Sequence, residues 1–281
     1  MAVVSIVGQI LTFQNGEGLN MKISIERSLN PEPDECKLSI EGLDPFRARL
    51  MGQVFRETRV GQAVTVQLGY DVIPVAAFSG LLETFDDNVP QGPALWTHAT
   101  AGDAADIFDD VKLPPGLSSN VGLTPLEQIN IAMAAMGILP GPSVAPVVAG
   151  ASPLAQGPFS ASGVRRASDL LDAACLTLRC RWWVRDRQLH LARNGLPDPS
   201  RLAVIIAPMQ PGPRMPGVPL VAPPSFGGGG IMNCTTFMDP TIVPGGQVSY
   251  QGGLFRVEHV IHSAETRSTS PWTSSIVGRA L

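Results

Sequence analysis

The sequence is poor in charge and in aromatic residues, and it has no long apolar run. Charged residues make up 16% and aromatic residues 6% of the 281 residues, whereas about 25% charge is usual in soluble domains. Pro, Gly or Gln interrupts the longest apolar segments, so we expect no membrane insertion. The N-terminal sequence has no charged region followed by a long apolar run, so we expect no secretory signal. So few charges predict that much of the surface lies against other proteins. A β-rich chain with short loops is the alternative explanation.

The cysteines do not form a recognisable metal or redox motif. The sequence has no CxxC pair, and no histidine lies at zinc-ligand spacing from its four cysteines, Cys36, Cys175, Cys180 and Cys234. We therefore expect free thiols in a reducing cytoplasm.

Motifs of the common enzyme classes are absent as well. GxSxG, HExxH, Walker and GxGxxG motifs do not occur in their required context, and the glycines at 227–230 lack the strand-to-helix setting of a phosphate loop. His259 and His262 are three residues apart in a predicted strand, so they point to opposite faces and disfavour a shared metal. The other candidates are interpreted as polar-face or turn residues: His98, His190, Asp86–Asp87 and Asp109–Asp110. We predict no catalytic residue, cofactor or metal and no enzymatic activity, although two carboxylates converging in a cleft would have no sequence motif.

Alternating apolar and polar residues predict strands through the first hundred residues. The alternation is clearest at Met21–Glu26, Cys36–Glu41 and Val64–Leu68. The stretch from Val64 to Glu83 predicts a bent antiparallel hairpin in which Ser79-Gly80 marks a bulge or a close backbone approach. Residues Phe46–Phe55 predict one or two helical turns.

The pattern becomes helical after Trp96. Thr124 and Glu127 form a capping box around Pro125, which predicts a helix that ends at Gly137. The other elements expected in this part are a short helix from Asp103 to Phe108, a long loop over Leu139–Pro158, a helix starting at Ser160 or Ser162, and a hairpin of Cys180–Val184 and Leu189–Leu191 that turns at Asp186-Arg187.

The C-terminal part repeats the plan of the first hairpin. Gly61-Gln62-Ala63-Val64 has an echo in Gly246-Gln247-Val248, Phe78 in Phe255, Trp96 in Trp272 and Gly102 in Gly278. We interpret this echo as an internal duplication. It predicts two β units with the same strand order and with Trp96 and Trp272 in equivalent places.

These patterns predict a mainly β fold with α+β character, in which two similar antiparallel β-barrel domains flank a small α/β domain. The predicted boundaries are 1–99 for the N-terminal barrel, 100–195 for the α/β domain with two helices and a hairpin, 196–230 for a Pro/Gly-rich connector and 231–281 for the C-terminal barrel. The α/β domain is expected to project from one side of the barrels.

Charge is distributed unevenly along the chain. Residues 1–110 hold 16 acids and 7 bases, whereas residues 111–281 hold 8 acids and 13 bases. The arginines of the middle part lie beside Trp182-Trp183, as a nucleic-acid site would require. Acidic residues lie among these arginines and reduce the net positive charge, which favours a solvated or interfacial face over a nucleic-acid site.

Several short motifs, taken in order, resemble one known family. They are LSIEGL at Leu38–Leu43, VTVQLGY at Val64–Tyr70, FSGLLE at Phe78–Glu83, LHLARNG at Leu189–Gly195, FMDPTIVPGGQV at Phe237–Val248 and LFRVEHVIHSAET at Leu254–Thr266. In these motifs the chain resembles the baseplate hub proteins of phage tails and of related contractile injection machines.

The resemblance implies a structural protein of the virion tail, assembled in the host cytoplasm. It implies tail-tube-like barrels and a homotrimer whose six similar barrels join a six-fold tail tube to a three-fold central spike. Tape-measure and baseplate wedge proteins are further expected partners, and DNA would only pass through the channel. A tail-associated cell-wall hydrolase and a host-surface or carbohydrate-binding β module are the alternatives.

For a hub of this kind, we expect the acidic N-terminal third to face the channel or its rim and the arginine-rich middle to face protein. Like charge would keep passing DNA from being retained. The acids expected there are Glu26, Glu41, Glu83 and Asp86.

Overall fold

In a computed structural model of the chain, most strands join one long sheet. The structure describes residues 1–6, 9–14, 17–58, 62–70, 74–91, 94–103, 111–113, 122–160, 164, 166–208 and 217–281. The N-terminal part supplies β1 (Ala2–Ile6), β2 (Gln9–Gln14), β3 (Glu17–Gly18), β4 (Asn20–Ser28), β5 (Glu35–Glu41), β6 (Ala63–Leu68), β7 (Val75–Gln91) and β8 (Ala94–Gly102). Its helix α1 (Pro45–Thr58) has 14 residues and is longer than the predicted one or two turns.

The strand predictions for this part are confirmed. Strands β4 and β5 bury every second residue, and the sheet order is β4-β5-β8-β7-β6-β1-β2-β3. The register irregularity in the β6–β7 hairpin falls at Val66–Gln67, not at Ser79-Gly80. Gly80 is instead the close backbone approach, because a Cβ there would lie 2.5 Å from the carbonyl oxygen of Gly102.

The middle part forms a small α/β unit with its own core. Its elements are β9 (Gly122–Leu123), α2 (Pro125–Met136), β10 (Leu139–Pro140), α3 (Val144–Ala149), β11 (Phe159–Ser160), α4 (Ala167–Leu178), β12 (Cys180–Arg185) and β13 (Gln188–Arg193). The capping box of Thr124 and Glu127 is confirmed, and Gly137 ends α2. Helices α2 and α4 pack together over the β12–β13 hairpin.

Two predictions for this unit were wrong. The segment Leu139–Pro158 is not only loop, because Val144 and Val147 of α3 are buried in the core of the unit. Helix α4 begins at Ala167, after an extended Arg166 that makes no side-chain cap. The predicted helix from Asp103 to Phe108 lies mostly outside the described residues, as does Asp109-Asp110.

The C-terminal part forms a closed six-stranded barrel. Its strands are β14 (Ala203–Ala207), β15 (Val218–Gly227), β16 (Ile231–Phe237), β17 (Gln247–Tyr250), β18 (Gly253–Glu265) and β19 (Thr273–Ala280). They pair in the order β14-β15-β16-β19-β18-β17, and β17 pairs again with β14. The interior holds Met232, Val248, Val260 and Ile276.

The predicted pair of separate barrels is not confirmed. The segment 196–230, predicted as a connector, supplies β14 and β15 to the C-terminal barrel. The described pairings of the N-terminal strands do not close into a second barrel, because β4 pairs with β18 through seven residue pairs. The N-terminal core even includes Met238 and Trp272 from the C-terminal part.

No described helix has the length and apolar character that crossing a membrane requires.

Candidate functional site

The sheet contains an internal repeat of five strands. The order β6-β7-β8-β5-β4 in the N-terminal part recurs as β17-β18-β19-β16-β15 in the C-terminal part. Each long hairpin carries a bulge at the same place. In β7 the residues Leu82 and Thr84 face Ala101 and Thr100, and in β18 the residues Val257 and His259 face Gly278 and Val277. A bulge is a specific local feature, so its recurrence fixes how the two halves correspond.

This correspondence corrects the tryptophan equivalence predicted from the sequence. Since Ala101 corresponds to Gly278, Trp96 corresponds to Thr273, one residue after Trp272. A shift of one residue moves a side chain to the other face of a sheet. Trp96 accordingly lies under the ammonium group of Lys22, 5.1 Å from the ring centroid, whereas Trp272 belongs to the N-terminal core.

One continuous sheet surface runs through both halves of the repeat. Eight strands, β7-β8-β5-β4-β18-β19-β16-β15, are neighbours in this order. One side packs on the cores, and the other side, which we call the polar face, presents many hydroxyl groups: Ser24, Ser39, Thr84, Thr100, Thr235, Ser263, Thr273 and Ser275. Two grooves of about 350 and 320 Å³ lie along it.

The polar face carries more acids than bases. The charged residues on its side of β4, β5, β7, β19 and the second half of β18 are three bases and six acids: Lys22, Lys37, Arg279, Glu26, Glu35, Glu41, Glu83, Asp86 and Glu265. Lys22 lies 3.4 Å from Glu265 and Lys37 lies 2.8 Å from Glu35. Partial burial, together with the nearby Glu35, raises the pKa of Glu83. Glu26, Glu41, Glu83 and Asp86, the acids expected at the channel or its rim, therefore lie on one face of the sheet.

The run ends at two strand edges. Beyond the β6–β7 pairing, β7 pairs only with β8 over Leu82–Gln91. At the other end, β15 pairs with β14 only at Val218 and Pro219, and with β16 from Leu220 to Gly227. Among the described residues, each edge therefore offers backbone that has a strand on one side alone.

Buried charges attach the α/β unit to one end of the strands β4, β5 and β8, in the interior of this run. Arg27 lies 3.2 Å and Arg185 3.6 Å from the carboxylate of Asp34, and all three side chains are buried. Asp103 accepts a hydrogen bond of 2.7 Å from the backbone N–H of Asp186 in the β12–β13 turn. Burial raises the pKa of Asp103 to about 7 and lowers the pKa of Arg185 to about 10. The unit is therefore attached where β4 and β8 end and β5 begins.

A second contact joins the unit to the C-terminal barrel. The backbone N–H of Asp198 donates to Gly245, and Trp183 stacks on His190 with ring centroids 5.6 Å apart. His190 is buried and lies 3.7 Å from Asp198. The prediction that His190 is a polar-face residue was therefore wrong.

The other histidines make structural contacts. His98 hydrogen-bonds Ser39 at 2.9 Å, and His259 lies 2.9 Å from Glu26 on the polar face. His262 is buried between Ser274 and the carbonyl of Ile242, and burial lowers its pKa to about 3. His259 and His262 thus point to opposite faces, as predicted. No group of three or more metal-ligating side chains occurs within the described part of the chain.

Solved structures of tail proteins have the same fold. The 43 kDa tail protein of prophage MuSo2 from Shewanella oneidensis matches with a TM-score of 0.61 at 12% identity, covering 99% of this chain and 97% of that one. A tail protein from Neisseria meningitidis MC58 matches with a TM-score of 0.57 at 10% identity, covering 99% and 95%. The chain has the fold of phage tail proteins. This agrees with the resemblance that its short motifs show.

A third structure extends the similarity beyond phages. The E. coli c3393 protein is a component of the type VI secretion system with structural similarity to the T4 bacteriophage tail proteins gp27 and gp5. It matches with a TM-score of 0.55 at 8% identity, over 99% of this chain and 76% of that one. No protein-family model matches the sequence, and no curated protein matches it either. The tail-protein similarity therefore lies in the fold.

Proposed function

We propose that this protein is a structural baseplate hub of a phage tail or of a related injection machine. The observation that supports the proposal is the internal strand repeat in a chain with the tail-protein fold. Three copies, each with two similar units, would present six near-equivalent positions to a six-fold tail tube and keep three-fold symmetry toward a central spike. Closed rings also remove exposed strand edges.

In this assembly the polar face lines the central channel. Its hydroxyl groups and its excess of carboxylates suit a wall that DNA passes without being retained, because phosphates are repelled by like charge. The α/β unit is attached where strands β4 and β8 end and β5 begins, away from the free edges of β7 and β15, so it extends toward the spike or the periphery and leaves the ring surfaces equivalent.

The function is proposed to be structural, not catalytic. A hydrolase would require a cleft with acid and base groups placed for catalysis, and the buried Asp34 and Asp103 instead connect structural units. A carbohydrate-binding module built on tryptophan platforms would expose its tryptophans, whereas all four tryptophans are buried. Purified protein should leave cell-wall suspensions turbid; clearing that is lost in Asp86→Ala would contradict the structural role.

The oligomeric state tests the proposed hub directly. Native mass spectrometry of the purified chain should show a species of three chains of 29.7 kDa each, alone or after addition of the spike protein. The spike protein and the tail tube protein should both co-purify with that species. A mass that stays at one or two chains at high concentration, with the spike present, would contradict the hub.

A further inference from the structure

Strands β4 and β18 pair and so join the two halves of the chain. Their equivalents in the repeat, β15 and β7, do not pair with each other within the described part of the chain. Within the chain, β18 and β4 pair antiparallel from His259↔Ser28 to Glu265↔Lys22. This pairing connects the second repeat to the first. Strand β7 is the repeat equivalent of β18, and β15 is the equivalent of β4, yet these two lie at opposite ends of the eight-strand run.

We propose that β15 of one copy of this chain pairs antiparallel with β7 of a second copy, in the register that β4 and β18 use within the chain. The inference rests on the proposed ring and specifies which edges close it. Because β7 and β15 are different surfaces, the contact is head-to-tail, and a rotation that closes it produces a ring.

The register follows from residues that face one another. From the common bulge, Thr84 corresponds to His259 and Asp86 to Ile261. For the β15 edge, the equivalence follows from residues that lie opposite one another on neighbouring strands. In the first half Ala101 lies opposite Cys36, which lies opposite Ile25. In the second half Gly278 lies opposite Met232, which lies opposite Phe226. Phe226 is thus the equivalent of Ile25, and Gly227 of Glu26.

Ile25 and its equivalent Phe226 differ in burial, as expected if Phe226 lacks the neighbouring strand that covers Ile25. Ile25 faces His262 of β18 and is fully buried, whereas Phe226 is 61% exposed. Phe226 is partly supported by Tyr250 and Phe255, whose ring centroids lie 6.5 and 6.2 Å away. A neighbouring strand laid along β15 would cover it. Pro223 and Pro224 lack N–H donors, which limits the pairing to the last part of β15 and discourages other strands.

The register places Gly227 of one copy opposite Asp86 of the next, as Glu26 lies opposite Ile261 within the chain. A Cβ added at Gly227 would meet only the Cβ of Ile231, at 3.8 Å, so a cysteine fits there. Asp86 is exposed on the polar face. Directly opposed residues in a sheet have Cβ atoms within about 5.5 Å, which mild oxidation can join into a disulfide after small adjustment.

The test is oxidation of the Asp86→Cys/Gly227→Cys double variant at a concentration where the native mass shows the oligomer. The expected result on a non-reducing gel is loss of the monomer band and a ladder of covalent oligomers. Each single variant should stay monomeric on the gel, because the contact joins two different edges. The native cysteines are buried and free, so they should not contribute.

Two pairs serve as controls. Glu26→Cys/Ile261→Cys should form a disulfide within the chain and give no ladder, which shows that this register accepts a disulfide. Gly227→Cys/Thr65→Cys, with the second cysteine on the exposed side of β6, should not crosslink.

The outcomes separate this inference from the proposed function. A ladder that stops at three chains supports both. A ladder that passes three supports the junction and contradicts the trimer. A native trimer that gives no ladder, or crosslinking by a single variant, overturns the junction and leaves the hub intact. A protein that stays monomeric at every concentration, without a ladder, contradicts both.

Discussion

At the scale of single residues, the junction between units depends on buried charges. Asp34 lies between β4 and β5, outside the alternating segments from which these strands were predicted, yet it is buried between Arg27 and Arg185. Sequence alternation indicates which residues of a strand face inward. It does not show that a loop carboxylate will meet an arginine about 150 residues away, because that contact depends on how the units dock.

Replacement of Asp34 by alanine should strongly destabilise the protein. It would leave two buried arginines without their carboxylate, a loss typically of about 3–5 kcal/mol. The control is Glu35→Ala at the next position, which removes an exposed pair with Lys37 and should cost less than about 1 kcal/mol. Urea unfolding of both variants measures the difference. Equal effects would show that the buried pairs do not stabilise the junction.

Asp103 should make stability depend on pH. Its pKa is raised to about 7 in the fold, above the value near 4 of an unfolded chain, so the folded state binds the proton more tightly. Its contribution to the unfolding free energy is therefore complete below about pH 4 and is lost as the pH rises through about 7. The difference between wild type and Asp103→Asn, measured at pH 5 and pH 8, isolates this effect from His262. A difference that does not change with pH would contradict it.

At the scale of elements, sequence patterns predicted the helices and strands whose formation depends on neighbouring residues in the chain. The alternation of β4 and β5, the capping box of α2 and the β12–β13 hairpin were all predicted correctly. Strand β15 was missed because its sequence is rich in proline, so that the pairing with β16, not the local pattern, makes the strand. Strand β14 contains the β-branched run Val204-Ile205-Ile206, which favours a strand, but it was included in the segment predicted as a connector. The tryptophan echo was misplaced by one residue because side-chain direction depends on bulges.

Because β15 is an edge strand, Ile25 and its equivalent Phe226 should contribute differently to stability and to self-association. Ile25→Ala removes a fully buried side chain and should cost about 2–5 kcal/mol of unfolding free energy. Phe226→Ala removes a side chain that is 61% exposed and should cost about 1 kcal/mol or less in the monomer. The same change should weaken self-association by about 2 kcal/mol, roughly thirty-fold.

Sedimentation equilibrium measures the association, and denaturant unfolding of the dilute protein measures the stability. A Phe226→Ala variant that associates like wild type would show that no strand covers this position.

At the scale of the whole molecule, the internal repeat makes two different halves of a chain present similar surfaces. The sequence indicated this repeat, but not that β4 and β18 would join the halves into one sheet. That pairing spans more than 200 residues of sequence. It gives the eight-strand run a polar face that crosses the boundary between the halves.

The charge of the polar face should keep nucleic acid away from the assembled ring. Wild-type protein is expected not to retain double-stranded DNA at physiological salt. A variant with Glu26, Glu83 and Asp86 changed to lysine should bind DNA in a salt-dependent way. The matched control changes Glu32, Glu57 and Asp169 to lysine; these side chains are exposed in the turn after β4 and on helices α1 and α4. Fluorescence anisotropy across a salt series compares them, and equal DNA binding by both variants would contradict a channel-facing polar face.

Electron cryo-microscopy of the purified ring, viewed along its axis, would resolve the proposed assembly itself. We expect three chains arranged with three-fold symmetry, six similar β lobes around a channel and a continuous sheet on the inner wall. The α/β units should project from one end of the ring. Particles with one or two chains, or a three-chain ring in which only three lobes surround the channel, would contradict it.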